Sequence, residues 1–120
     1  MRGLLGGITA AGIAILSLVP VASAAGDAAA GKELYVLFCT RCHGKNGRGD
    51  GPSGALLATK PSNLADCARM QATSDQELVT VIQEGGPALR LSKDMPRLGN
   101  TLEDHEIADL ITYIRSFCQP

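Results

Sequence analysis

Cys39-Thr40-Arg41-Cys42-His43 is the stretch on which the reading of this chain turns. A Cys-x-x-Cys-His run is the spelling of a covalent attachment point for c-type haem. Each cysteine can form a thioether to one haem vinyl group, and the adjacent histidine can reach the iron. Three other uses of the same residues compete: a dithiol exchanger, a zinc site and a plain disulfide. A dithiol exchanger wants a buried strand and a βαβ setting around its Cys-x-x-Cys. Here Ala28 to Phe38 reads as helix, and Gly44, Gly47, Gly49, Gly51 and Gly54 read as loop. A zinc site wants two more soft ligands at short spacing. Cys67 and Cys118 are distant in sequence, and His105 sits in a helical pattern. Covalent haem c is the expectation, and with no second such run it is one haem per chain.

The first residues read as a targeting signal. Arg2 is a short positive start, Leu4 to Val19 carries no charge, Pro20 breaks the run, and Ala22-Ser23-Ala24 offers a small-residue cleavage site. The expected division is a signal peptide over 1–24 and a domain over 25–120. A cut one residue later is nearly as good. The competing reading is an uncleaved anchor, because Gly3 to Gly26 is uncharged and long enough to span a bilayer. No cysteine follows the apolar run, so a lipid-modified signal is not supported.

About 95 residues would remain, which means one domain with little room for a self-sufficient core. Tyr35, Phe38, Tyr113 and Phe117 are the only aromatic residues. A buried haem would supply apolar surface that they cannot, so the apoprotein is expected to be weakly folded. Without Arg2 the balance is ten Lys or Arg against twelve Asp or Glu. No basic block interleaved with aromatics suggests nucleic acid, and no membrane insertion is expected after signal cleavage. Cysteine usage agrees with export from a reducing compartment. Cys67 and Cys118 either form a disulfide or sit apart as small buried residues.

Helical periodicity organises the rest. Asp27 can cap a first helix carrying Leu34, Leu37 and Phe38. Gly31 weakens that helix and so calls for a packing reason, such as a close helix crossing. Ser74 and Glu77 spell a capping box for a helix with Leu78, Val79, Val81 and Ile82, ended by Gly85-Gly86 and Pro87. Thr101 is the expected cap of a last helix bearing Ile107, Leu110, Ile111 and Ile114, with Asp104 at its third position. No segment alternates long enough to argue a sheet, so the fold class is all-α.

With these pieces in place, the chain resembles the small monohaem class I cytochromes c of bacterial periplasms. The resemblance covers essentially residues 25–120. It rests on Gly31-Lys32 and Tyr35, and on His43-Gly44-x-x-Gly47-x-Gly49-Asp50-Gly51-Pro52. Further support comes from Ser74-Asp75-x-Glu77-Leu78, Gly85-Gly86, Met95-Pro96, and Ile107-Ala108-Asp109-Leu110-Ile111-x-Tyr113-Ile114-Arg115. It implies a cytochrome c-like fold of three to five helices around one haem, crossed terminal helices, His/Met ligation, a periplasmic location and one-electron transfer. It also implies that a backbone carbonyl in the proline-containing loop, mapped here onto Pro52, accepts from His43. Cys67 and Cys118 are not part of the general pattern.

Three residues compete for the iron position opposite His43. Met95 lies in a loop-like stretch before the last helix, and Pro96 restricts it to extended geometry. Met70 could instead cover the haem edge or fill core space, and His105 reads as a surface residue. Met95 is the expected ligand. Three functions follow: a diffusible carrier with transient redox donor and acceptor proteins, a dedicated subunit of an oxidoreductase, or an open-site haem sensor or enzyme. No catalytic residues stand out, and the carrier is the leading expectation.

Overall fold

The structure, a computed structural model, describes Gly3 and residues 25–120. The expected signal segment, its cleavage site and the anchor alternative otherwise fall outside that range. Five α-helices form the described domain: α1 (Ala28–Phe38), α2 (Thr40–His43), α3 (Cys67–Ala72), α4 (Asp75–Glu84) and α5 (Asp104–Ser116). Short 3₁₀ turns occupy Gly54–Leu56 and Gly86–Leu89. There is no strand among the described residues, so the all-α expectation holds.

The core lies where α1 crosses α5. Asp27 caps α1 by accepting from the amides of Ala29 and Ala30, at 2.8 and 3.3 Å. Its own amide donates to Asp109 Oδ1 at 2.6 Å, tying the start of α1 to the middle of α5. Gly31 is the contact residue. A Cβ there would run into the Asp109 carbonyl, with the Leu110 nitrogen 3.0 Å away. Tyr35, Ile107 and Leu110 are fully buried around this crossing. Leu78 and Ile82 of α4, Met70 of α3, Ile111 and Ile114 of α5, and Cys39 and Leu102 complete the cluster. The rings of Tyr35, Tyr113 and Phe117 meet pairwise with centroids 5.2 to 5.3 Å apart, tilted or edge-on.

Helix α4 starts and ends as its residues dictate. Ser74 Oγ accepts from the Glu77 amide at 3.2 Å, and the Glu77 carboxylate accepts from the Ser74 amide at 2.8 Å. Gly85 closes the helix with φ 84°. Helix α5 begins later than expected. Glu103, not Thr101, is its N-cap, and the Glu103 amide donates to Glu106 Oε2 at 2.8 Å. Leu102 is buried, and its amide and that of Thr101 both donate to Leu98 O at 2.9 Å. Anchoring Leu102 in the core commits Thr101 to that preceding turn and leaves the reciprocal Glu103–Glu106 pair to start the helix.

Arg115 ties α5 to the α3–α4 junction. Its guanidinium donates to the carbonyls of Met70 and Thr73 and to Asp75 Oδ1, the last two at 2.6 and 2.7 Å. Those carbonyls belong to the end of a short helix, where no intrahelical partner is left. Cys67 opens α3 and Cys118 follows α5. Their Cα atoms stand 5.3 Å apart, inside the range that a disulfide spans.

Candidate haem centre

Helix α2 is a single turn, and it presents the three attachment residues together. Cys39 ends α1, and its carbonyl accepts from the amides of Cys42 and His43 at 3.1 and 2.8 Å. Residues three and four apart share a helix face, so Cys39, Cys42 and His43 lie along one side of the turn. Neither cysteine is bridged. The Cys39 thiol is pushed up to about 12, first by burial and then by the neighbouring Cys42. A dithiol exchanger needs a readily formed thiolate, so this environment argues against that use.

The glycine loop then wraps the open end of α2. The amides of Gly49, Gly51 and Ser53 donate to the carbonyls of His43, Cys42 and Arg41, at 2.7, 3.1 and 3.0 Å. These acceptors would otherwise be left over at the end of the turn. Gly47 adopts φ 74° with the Phe117 ring against it, so a side chain there would meet both backbone strain and an aromatic wall. Tyr35, fully buried, donates its hydroxyl to Gly44 O at 2.7 Å. Burial pushes that phenol up, with smaller contributions from Cys39, Tyr113 and Asp50. The hydroxyl therefore stays a donor and holds the loop to α1.

His43 is half-buried, and its Nδ1 lies 3.1 Å from the carbonyl of Ser62. Burial pushes the imidazole below its ordinary value, and the Ser62 hydrogen bond opposes that in part. The neutral ring then donates from Nδ1 and leaves the Nε2 lone pair for a metal. The acceptor corrects the expectation of Pro52. Pro52 is exposed in the loop after α2, whereas the carbonyl that reaches the ring follows the next proline, Pro61. The reason is topological. The glycine loop spends its amides on α2, and the chain returns to His43 only after passing the Gly54–Leu56 turn. The acceptor is a backbone carbonyl, so no side chain in the sequence marks Ser62 for the role.

The remaining candidates separate by burial. Met70 is 4% exposed and packed into the helix core, so it fills space. His105 lies on the surface at the start of α5, 3.3 Å from Glu103 Oε2. Met95 is half-buried in the 86–98 loop, which folds back on the end of α4. Its carbonyl accepts from the Gly86 amide at 3.0 Å, and Leu98 donates to Ile82 O at 2.8 Å. Leu56 and Leu91, 87% and 45% exposed, add apolar surface to the two loops. Two thiols, an oriented imidazole, a thioether on a pinned loop and apolar loop edges fit a covalently held haem.

A family model, Cytochrome c, matches residues 28–117. Among solved structures, the KustC0563 c-type cytochrome superposes with a TM-score of 0.60 at 28% identity. The match covers 74% of this chain and 98% of that one. No curated protein matches the chain. The match runs from the first residue of α1 to just beyond α5, and it spans every residue of the site described above. The chain belongs to the cytochrome c family, whose members carry covalently bound haem c and transfer electrons.

Proposed function

We propose that this protein is a periplasmic one-electron carrier with a single haem c held by Cys39 and Cys42, ligated by His43 and Met95, and exported by a cleaved signal over residues 1–24. The observation that carries the reading is the His43 ring, oriented by the Ser62 carbonyl beside two unbridged cysteines on one helical turn. When bound, the haem would supply a one-electron iron couple, whose potential a methionine ligand would raise relative to a second histidine. The protein's part is to fix His43 in one tautomer and to hold Met95 in one pose. Leu56 and Leu91 on the two loops would offer apolar surface to the haem. Met95 is favoured over Met70 because Met70 is committed to the core, while the loop bonds of Met95 leave its thioether free. In an exported chain a Cys67–Cys118 disulfide completes the reading, supported by their 5.3 Å Cα separation. No helix among the described residues is long and apolar enough to cross a membrane.

Replacing Met95 by alanine tests the assignment. The oxidised protein is expected to show the weak near-infrared sulfur-to-iron charge-transfer band. The Met95→Ala variant should lose it, fall in potential and admit small ligands to the iron. A band that survives in Met95→Ala and disappears in Met70→Ala would move the ligand to Met70. A high-spin spectrum in the unaltered protein would instead favour an open-site sensor or enzyme.

A second reading, a dedicated oxidoreductase subunit, draws on the outer face of α1. Val36 and Leu37 are 58% and 73% exposed there, next to Lys32 and Glu33. Stable co-purification with one partner, lost on Leu37→Ser, would favour it over the diffusible carrier.

A further inference from the structure

The segment that carries the Ser62 carbonyl is irregular, and few bonds of its own hold it. No helix covers Leu57 to Asp66. The Leu64 amide donates to Gly47 O at 2.6 Å, while Ala65 and Asp66 bond locally to Asn63. A carbonyl on such a stretch would drift unless something clamps it. The end of α5 is placed to do so. The Phe117 ring lies against Gly47, and Leu64 lies against the same glycine from the segment side. Phe117 is itself wedged by Tyr35 and Tyr113. Cys118, the next residue, sits with its Sγ 3.9 Å from Leu64 O and faces Cys67, where the segment ends in α3.

We propose that Phe117 and the Cys67–Cys118 bridge are positioning residues for the histidine ligand. Together they hold residues 61–67 so that the Ser62 carbonyl stays on His43 Nδ1. This rests on the proposed bridge and on His43 as an iron ligand. A carbonyl acceptor on one ring nitrogen raises the basicity of the other, which favours oxidised iron. Loosening the clamp weakens that acceptor, so the reduction potential should rise. Two cysteines outside the attachment motif thereby bear on the redox centre without touching it.

The test uses the haem-loaded protein and two variants, Cys67→Ser/Cys118→Ser and Phe117→Leu. Non-reducing peptide mapping comes first, and recovery of both thiols free overturns the role given to the bridge. Potentiometry then follows, with hydrogen exchange at the Leu64 amide measured against that of Leu110 in the core. Both variants should show a higher potential, and the Leu64 amide should exchange about tenfold faster relative to Leu110. A purely structural bridge would lower global stability and leave both the potential and that exchange ratio unchanged, which overturns the proposal. Phe117→Leu keeps the bridge, so the answer survives if the double variant does not fold. Absence of the near-infrared band from the unaltered protein would bear on the ligand assignment alone, since both readouts compare variants with the unaltered protein and all of them keep Met95.

Discussion

At Gly31 the absence of a side chain sets how closely the two terminal helices approach. A methyl there meets the Asp109 carbonyl on the facing helix backbone, which cannot swing aside as a side chain can. Overpacking of this kind costs about 1–3 kcal/mol. The gain from alanine's helix propensity is at most about 1 kcal/mol. Gly31→Ala should therefore destabilise the protein, seen as a lower urea midpoint with an unchanged slope; an equal or higher midpoint would mean that the helices do not cross in contact. The sequence carried this reading because a glycine inside a strong helix needs a reason. It could not carry Ser62, whose side chain is irrelevant to its role. A backbone carbonyl leaves no residue signature, so only the path of the chain distinguishes Pro61-Ser62 from Pro52.

At the scale of elements, caps were legible where side chain and helix start are local, and obscured where burial competes. Ser74 and Glu77 spell their box in four residues. At the start of α5, Thr101 is an equally good letter, but Leu102 is drawn into the core and the helix starts at Asp104. Glu77 supplies a pH signature. Its carboxylate is held below its ordinary value, first by the Ser74 amide and then by the Ser74 hydroxyl. A depressed folded pKa adds stability that is complete above the unfolded value of about 4.3 and lost as pH falls through the folded one. The gap in melting temperature between the protein and Glu77→Ala should thus be present at neutral pH and shrink in acid. A gap that does not change with pH would mean the carboxylate charge has no part in the cap. Arg115 is a longer-range device that periodicity cannot reveal, because its acceptors lie forty or more residues away. Arg115→Met keeps much of the apolar stem and strands the Met70 and Thr73 carbonyls. These acceptors are only partly buried, so leaving them unmet should cost about 1 kcal/mol, the low end for buried groups. Arg115→Lys should recover only part of that, since one ammonium cannot reproduce the planar fork. Full recovery in chemical denaturation would show that the charge alone matters.

Taken whole, the described domain has a thin core. Its buried hydrophobic residues cluster on the α1–α5 crossing and the inner faces of α3 and α4. Between Gly44 and Asp66 no apolar side chain is fully buried. This stretch is built from glycine turns, an exposed Leu56 and backbone bonds to α2. The all-α class and the terminal crossing were legible because helix periodicity and Gly31 are local signals. The course of this middle segment was not, because its conformation is set by backbone bonds to α2 and contact with Phe117 rather than by its own propensities. That division predicts how the chain behaves without its cofactor. In a Cys39→Ser/Cys42→Ser variant, which cannot form either thioether, α1 and α5 retain their mutual contacts while the glycine loop and the 86–98 loop lose an apolar surface to close upon. Circular dichroism should then show reduced helix and a broad urea transition with a shallow slope, because less surface is buried. A dye that binds exposed apolar surface should bind it and not the haem-loaded protein. A sharp, fully helical two-state transition in that variant would mean that the helices alone carry the fold, and that the haem is a passenger in a scaffold complete without it.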